Sequence, residues 1–316
     1  MRVKSSATDD TRIAVTDPGE HVGLGTLQAA LGVVAFSLTF PATAWGLEGF
    51  GPWSLVAVRS VLAAVIAGCC LCVAGASRER GRTRGRIPLP DRGQLPGLAV
   101  VGAGVVLGFP LLTTLALETS TTAHAAVVVG LLPLTTALLS ALRMGTRPSR
   151  TFWAAALAGA AAVLAFTVQQ SGGSLRAADG FLFAALLVCA AGYTEGGRLA
   201  RVMPGWQVIG WALVLCLPLT VPAAVLALSY EPVRLTAHGV AGLLWVAAGS
   251  QFLGLVVWYR GMAAIGIPKA SQLQLAQPLL TLVWSVLLLG EHLTAAAPLT
   301  AAAVLVCIAV TQRSRS

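Results

Sequence analysis

A few polar side chains stand inside long apolar runs of this chain, and they are the residues whose types and spacing suit solute chemistry. Arg59 falls in the run 53–74, Gln251 in 239–259, and Gln272, Gln274 and Gln277 precede Pro278 in 267–289. Gln274 and Gln277, three apart, share one helix face; Gln272 lies on another. A neutral amide pair binds the polar parts of a solute without strong ion selectivity; its other use is hydrogen bonding between helices. Arg59 either holds a carboxylate of a substrate or pairs internally with a carbonyl or with Glu48, since a cation at that depth costs several kcal/mol unless paired or hydrated. Glu195 follows Tyr193 in the run 180–199 and is the candidate proton relay; with Arg198 three residues on, an interfacial ion pair is the competing and preferred reading. Trp45 and Tyr193 occupy the equivalent first runs of the two halves, a placement suited to opposite gates, although aromatic residues near run ends commonly belt the interface. Pro133 and Pro278 sit mid-run and would kink their helices as hinges beside a cavity or as fold geometry alone. Pro41 is a weaker candidate of the same kind.

Other patterns carry no chemistry. Cys69, Cys70 and Cys72 form a cluster with no second Cys/His cluster to complete a metal site, so they read as apolar wall residues. Glu291-His292 reads as a turn, Asp9-Asp10 lies in the N-terminal tail, and neither HExxH nor a P-loop occurs. The stretch 102–108 is glycine-rich, but it misses dinucleotide-loop spacing and lies in an apolar run. Gly104/Gly108 and Gly192/Gly196 are instead GxxxG pairs that mark close helix contacts. His124 opens a run as a polar helix start. No catalytic set, metal or cofactor is expected, and the chain does not read as an enzyme.

The elements that must position these residues follow from composition. The 316-residue chain is 56% hydrophobic and 10% charged, with mean hydropathy +0.81, against roughly 25% charged residues in soluble domains. Lipid must serve as its solvent. Apolar runs near the ~20 residues of a spanning helix occur at 23–45, 53–74, 95–117, 122–142, 152–168, 180–199, 206–228, 239–259, 267–289 and 295–310. With the N-terminus inside, nearly every basic residue falls in an inside segment, including Arg78, Arg80, Arg82, Arg84, Arg86 and Arg92. Only Arg176 and Arg234 fall outside. This asymmetry predicts ten spans with both termini cytoplasmic. The net charge of +9 then belongs to lipid headgroups and topology, not to nucleic acid. Residues 1–22 read as a disordered cytoplasmic tail without a signal-peptide core, and 313–316 as a short cytoplasmic end.

The chain also echoes itself. Pro133, Leu134, Thr136, Ser140 and Gly145 recur without a gap as Pro278, Leu279, Thr281, Ser285 and Gly290. Five spans per half is an odd number, so the halves, 23–170 and 171–312, enter the membrane with opposite orientation. The fold class expected is an all-α integral membrane protein of ten transmembrane helices in two inverted five-helix repeats, the plan of many secondary transporters.

The tract Val257 to Ser271, then Pro278, then Leu287 to Thr294 with its Leu-Gly-Glu turn, resembles the second repeat of the EamA family in the drug/metabolite transporter superfamily. Leu117 to Ala125, Pro133 and Arg143 to Pro148 fit the first repeat, with Thr146 where glutamate is common; Arg59 matches a basic position often seen there. The resemblance implies the ten-helix inverted repeat and export of small metabolites across the plasma membrane. The function expected is a secondary-active carrier, by alternating access, of small-molecule substrates such as amino acids or related compounds, acting as a monomer or homodimer. The alternatives are a multidrug or cationic-compound efflux carrier and, further off, a channel or intramembrane enzyme.

Overall fold

The computed structural model describes residues 18–80, 89–143, 149–170, 176–265, 270, 273–274 and 276–313. Every regular element among them is helical: α1 (Pro18–Ser37), α2 (Thr39–Leu47), α3 (Pro52–Arg80), α4 (Leu95–Val101), a π-helical segment (Gly102–Gly108), α5 (Phe109–Leu117), α6 (Thr122–Val129), α7 (Leu132–Arg143), α8 (Arg150–Gln170), α9 (Ala177–Leu199), α10 (Gly205–Tyr230), α11 (Ala237–Leu244), a second π-helical segment (Trp245–Gly254), α12 (Leu255–Ile265), α13 (Ala276–Leu289) and α14 (Ala296–Arg313). α1 begins at Pro18, inside the segment expected as disordered tail. Thr146, Gln272 and Ser271 lie outside the described residues.

Among the described residues seven helices are long and apolar enough to cross a membrane: Gly23–Leu47, Pro52–Ala74, Leu95–Leu117, Thr122–Arg143, Ala177–Leu199, Gly205–Tyr230 and Ala237–Ile265. They correspond to seven of the ten expected spans. Helices α8, α13 and α14 fall in the other three expected runs, α13 covering the part of 267–289 from Ala276 on. Within them Leu157–Phe166 and Ala276–Leu289 are shorter apolar stretches.

The breaks within spans have local causes. Proline lacks an N–H and frees the carbonyl four residues before it. Pro41 thus frees Ser37 O, and the helix interrupts at Leu38 between α1 and α2. Thr281 Oγ1 donates to the freed carbonyl at 2.9 Å, and Trp284 Nε1 donates to Ser37 Oγ at 3.0 Å. Pro110 frees Val106 O, which lies in the first π-helical segment and accepts from Gln251 Nε2 at 3.2 Å. The α6–α7 break falls at Gly130–Leu131, just before Pro133.

Packing is between halves as much as within them. α3 lies along α10, α1 along α12, α9 along α4, α5 and the π-helical segment between them, α6 along α13, and α8 along α14. Three apolar cores result among the described residues, a small one around Phe50, Leu55 and Leu243 and two larger ones. One of the larger two gathers α6, α7, α8 and the first half of α9; the other gathers α1, α3, α4, α10 and α12; Tyr193 packs against both. The GxxxG pairs meet where α9 crosses the first π-helical segment. A Cβ on Gly104 would run into Val188 O, and one on Gly192 would lie 2.6 Å from Val105 Cγ2. Only glycine admits that backbone approach.

Carboxylates tie loops to helix starts at one end of the bundle. Glu231 accepts from Trp53 N and Ser54 N at 3.2 and 2.7 Å. Glu291 accepts from Thr122 N and Ala123 N at 2.8 and 2.9 Å. Both place negative charge on the free amides of a helix N-terminus. Gly290, at φ +64°, turns the chain so that Glu291 reaches α6, which gives the Leu-Gly-Glu turn a structural role.

Gly104→Ala and Gly192→Ala should each lower the stability of the detergent-solubilised protein by about 1–3 kcal/mol through overpacking. Gly180→Ala, whose Cβ meets nothing within 4 Å, should leave it unchanged or raise it. Thermal unfolding followed by intrinsic fluorescence measures the difference; equal behaviour of all three would remove the close-crossing argument.

Candidate functional site

Between the two larger cores lies a narrow cavity with a free volume of about 40 Å³, lined by residues of α1–α3, α5, α7, α9, the π-helical segments, α12 and α13. Phe36, Phe40 and Phe109 form apolar wall, and Arg59, Thr39, Ser250, Gln251, Tyr193 and Gln277 bring polar atoms to it. The volume is enough for a few waters and too small for a metabolite.

Arg59 is the chemical centre. It is 3% exposed and points from α3 to the second π-helical segment. Its Nε donates to Gln251 Oε1 at 2.7 Å and its Nη2 to Val246 O at 3.1 Å. Gln251 is fixed in turn, its Nε2 donating to Ser60 Oγ at 3.3 Å and to Val106 O. Thr39 Oγ1 and Ser250 Oγ sit 2.7 Å apart. Among the described residues no carboxylate lies within ion-pair distance of Arg59; Glu48 instead faces His238 Nδ1 at 3.2 Å. The guanidinium keeps its proton, so its charge is held by neutral oxygens alone. Of the partners expected from sequence, the carbonyl is present and Glu48 is not.

A smaller space of about 10 Å³ adjoins it, with Phe40, Leu132 and Gln277 common to both. Pro133 and Pro278 both line it, together with Gln274 and Thr281. The two prolines therefore face one space, beside the packing of α13 along α6. Gln274 is 3% exposed and its Nε2 has no hydrogen-bond partner.

Trp45 lies away from both spaces and stacks on His238, ring centres 5.0 Å apart and planes 10° apart. Tyr193 lines the central cavity. Glu195 also lies away from it, between two guanidinium groups: Arg143 Nε donates to Oε1 at 2.8 Å and Arg198 Nε to Oε2 at 2.7 Å. This ties the end of α7 to the end of α9. Thr39, Ser60 and Ser250 were not singled out by sequence reasoning. The adjacency of Ser250 to Gln251 in an apolar run was a usable signal; Thr39 and Ser60 gave none, because single hydroxyls are common in membrane helices, bonded to their own backbone as Ser60 Oγ is to Val56 O.

The EamA-like transporter family model matches the chain twice, over residues 23–168 and 176–312. The uncharacterized transporter YdeK of Bacillus subtilis is 40% identical over 292 residues, 92% of this chain and 97% of that protein. A probable terminal-alkyne amino-acid exporter of Streptantibioticus cattleyicolor is 27% identical over 273 residues, 83% and 84% of the two chains. One solved crystal structure, 21% identical, superposes with a TM-score of 0.62 over 90% of this chain and 95% of its own, a likeness of fold. Matched in two successive copies that together take in nearly all of its helices, the chain belongs to the EamA-like transporter family.

Proposed function

We propose that this membrane transporter is a secondary-active exporter of small metabolites bearing a carboxylate, amino acids or close relatives, working by alternating access. The observation that carries the reading is Arg59, a buried cation with no carboxylate partner among the described residues, lining a water-sized cavity between the two larger cores. A substrate carboxylate would compensate that charge, and a guanidinium binds it in two-point fashion. Gln251, Thr39 and Ser250 supply uncharged donors and acceptors for the remainder. The amino-acid exporter among the relatives agrees with this class. Cationic drugs fit less well, because Arg59 would repel them. Polar aromatic and amide groups without a catalytic set fit binding and release, not enzymatic turnover.

In this reading the architecture is ten transmembrane helices in two inverted five-helix repeats. The helix pairs support it: exchanging each span for the one five places away turns the α1–α12 pair into the pair of α9 with the α4–α5 span. It leaves α3–α10, α6–α13 and α8–α14 matched to themselves. The two π-helical segments fall in the third and eighth spans, which that exchange also pairs. The distribution of the basic residues supports cytoplasmic termini, and the plasma membrane is the membrane proposed. The repeats, 23–170 and 171–312, would rock about Pro133 and Pro278, with monomer or homodimer as the working unit.

Counterflow in proteoliposomes tests the carrier. Uptake of radiolabelled L-threonine, L-alanine or L-propargylglycine should saturate and should accelerate when the same unlabelled amino acid is loaded inside; linear flux without acceleration would favour a channel. Arg59→Gln should raise the half-saturating concentration at least about tenfold, equivalent to ~1.4 kcal/mol, while Trp45→Phe should leave it near wild type. Reporter fusions at the two ends should both read cytoplasmic, and opposite readings would defeat the inverted repeat.

A further inference from the structure

Outside the central cavity, the starts of two helices bring together one buried pair. His124, in the first turn of α6, is 6% exposed, and Asp179, in the first turn of α9, is 1% exposed. His124 Nε2 and Asp179 Oδ1 are 2.8 Å apart. Asp179 Oδ2 accepts from Arg176 N at 2.8 Å, and Phe166 of α8 covers the imidazole, ring centres 5.5 Å apart. The pair lines a cavity of about 290 Å³ together with Thr119, Ser120, Thr121, Arg176, His292 and Thr294. That space is large enough for several waters.

We infer that His124 and Asp179 are the proton-exchange site that drives this carrier, loaded from the water of that cavity. The inference rests on the carrier reading above, and on its orientation this cavity faces outward. Imidazole is the one side chain whose ordinary titration spans neutral pH. Neutral His124 donates its Nε2–H to Asp179 Oδ1, so the exchanged proton binds the other ring nitrogen, Nδ1; it comes from the cavity water and leaves to it, and no other bond changes. With the proton on, the pair has no net charge. Without it, the pair carries one negative charge. A net charge is costly in a closed apolar bundle and tolerable beside open water, so proton binding and closure of this cavity favour each other.

The other charged and titratable groups around the pair, among the described residues, are these. Glu291 faces the start of α6, but its two oxygens already accept from Thr122 N and Ala123 N. His292 and Arg176 line the cavity without being buried in it. Glu118 follows α5 and is exposed. α2, α8 and α13 bring no charged side chain to this end, since their only charged residue, Arg150, opens α8 at its far end. Glu195, the acid favoured by sequence position for this role, is held between two arginines near the other end of α9. The pair also bridges the helices that matter: α6 runs on toward Pro133 through α7, and α9 carries Tyr193 into the central cavity.

The test uses the full chain reconstituted in liposomes, with His124→Gln and Asp179→Asn as variants that keep a hydrogen bond between the two positions. The probe for opening is a membrane-impermeant maleimide on Ser120→Cys, in a background with the native cysteines changed to Ser, normalised to Leu235→Cys at an exposed loop position. The normalised labelling rate should rise severalfold from pH 5.5 to pH 8, and either variant should flatten that rise. A flat wild-type ratio, or an undiminished rise in both variants, overturns the inference whatever the substrate. In parallel, radiolabelled L-threonine or L-propargylglycine is followed with and without a pH gradient. Variants that lose gradient-driven accumulation but keep counterflow at equal pH support the site; variants that keep both refute it. Absence of counterflow in the wild type would instead count against the carrier reading, with the labelling result still deciding the pair.

Discussion

A proline inside a membrane helix leaves one carbonyl without its amide, and lipid offers nothing in exchange. The centre of this bundle is organised by the way such carbonyls are answered. Ser37 O, freed by Pro41, is met by Thr281 Oγ1 of α13. Val106 O, freed by Pro110, is met by Gln251 Nε2 of the second π-helical segment. In both cases a kink in the first half is answered by a side chain of the second. Gln251 holds Arg59 through its other atom, so the backbone defect of one span orients the cation of another. A hydrogen bond between membrane helices contributes only about 0.6 kcal/mol on average. These contacts therefore set geometry, while close packing at places such as the Gly104–Gly192 crossing holds the helices together.

Charge follows the same division between ends and centre. Glu231 and Glu291 sit on helix N-termini, Glu195 lies between Arg143 and Arg198, and Asp179 faces His124. These acids are answered near the ends of the bundle. Arg59, in the middle, has two neutral acceptors and no acid among the described residues. A chain that compensates its acids and leaves its deepest base open has placed a demand for negative charge at its centre. The cost of an intramembrane cation makes such a placement hard to explain as filler, because a leucine there would pack without penalty.

Much of this was legible in the residues. Apolar run lengths located the helices, and the cost of polar atoms in lipid directed attention to Arg59, Gln251, Gln274 and Gln277, all of which lie against the two central spaces or bond across them. The GxxxG spacing anticipated the Gly104–Gly192 crossing, since small residues three or four apart have few uses other than close approach. What was not legible was partnership. Thr39 and Ser250 meet across 211 positions and His124 and Asp179 across 55, and no local pattern announces either pair. Trp45 shows the limit from the other side: an indole near a run end is equally at home in a gate or stacked on His238, and only the neighbouring start of α11 decides. The π-helical segments were invisible because a register change from four to five residues leaves apolar composition untouched.

The central cavity is too small for a solute, so any transport cycle must widen it, and the nature of the contacts at each end limits how. The ties at one end are carboxylates on amides and the His124–Asp179 pair; at the other, Glu195 joins Arg143 and Arg198. Such polar contacts can be exchanged for water at modest cost when an end opens. The Gly104–Gly192 contact has no such alternative, because separating two backbones in apolar surroundings gains nothing from water. α9 carries Asp179 near one end, Tyr193 and Gly192 in its middle, and Glu195 near the other. A tilt of α9 about the glycine crossing would loosen one set of polar ties as it tightened the other, with Tyr193 moving least. In the alternating-access reading proposed above, an opening at both ends together would break both sets at once, so the one-sided states would be the cheaper ones.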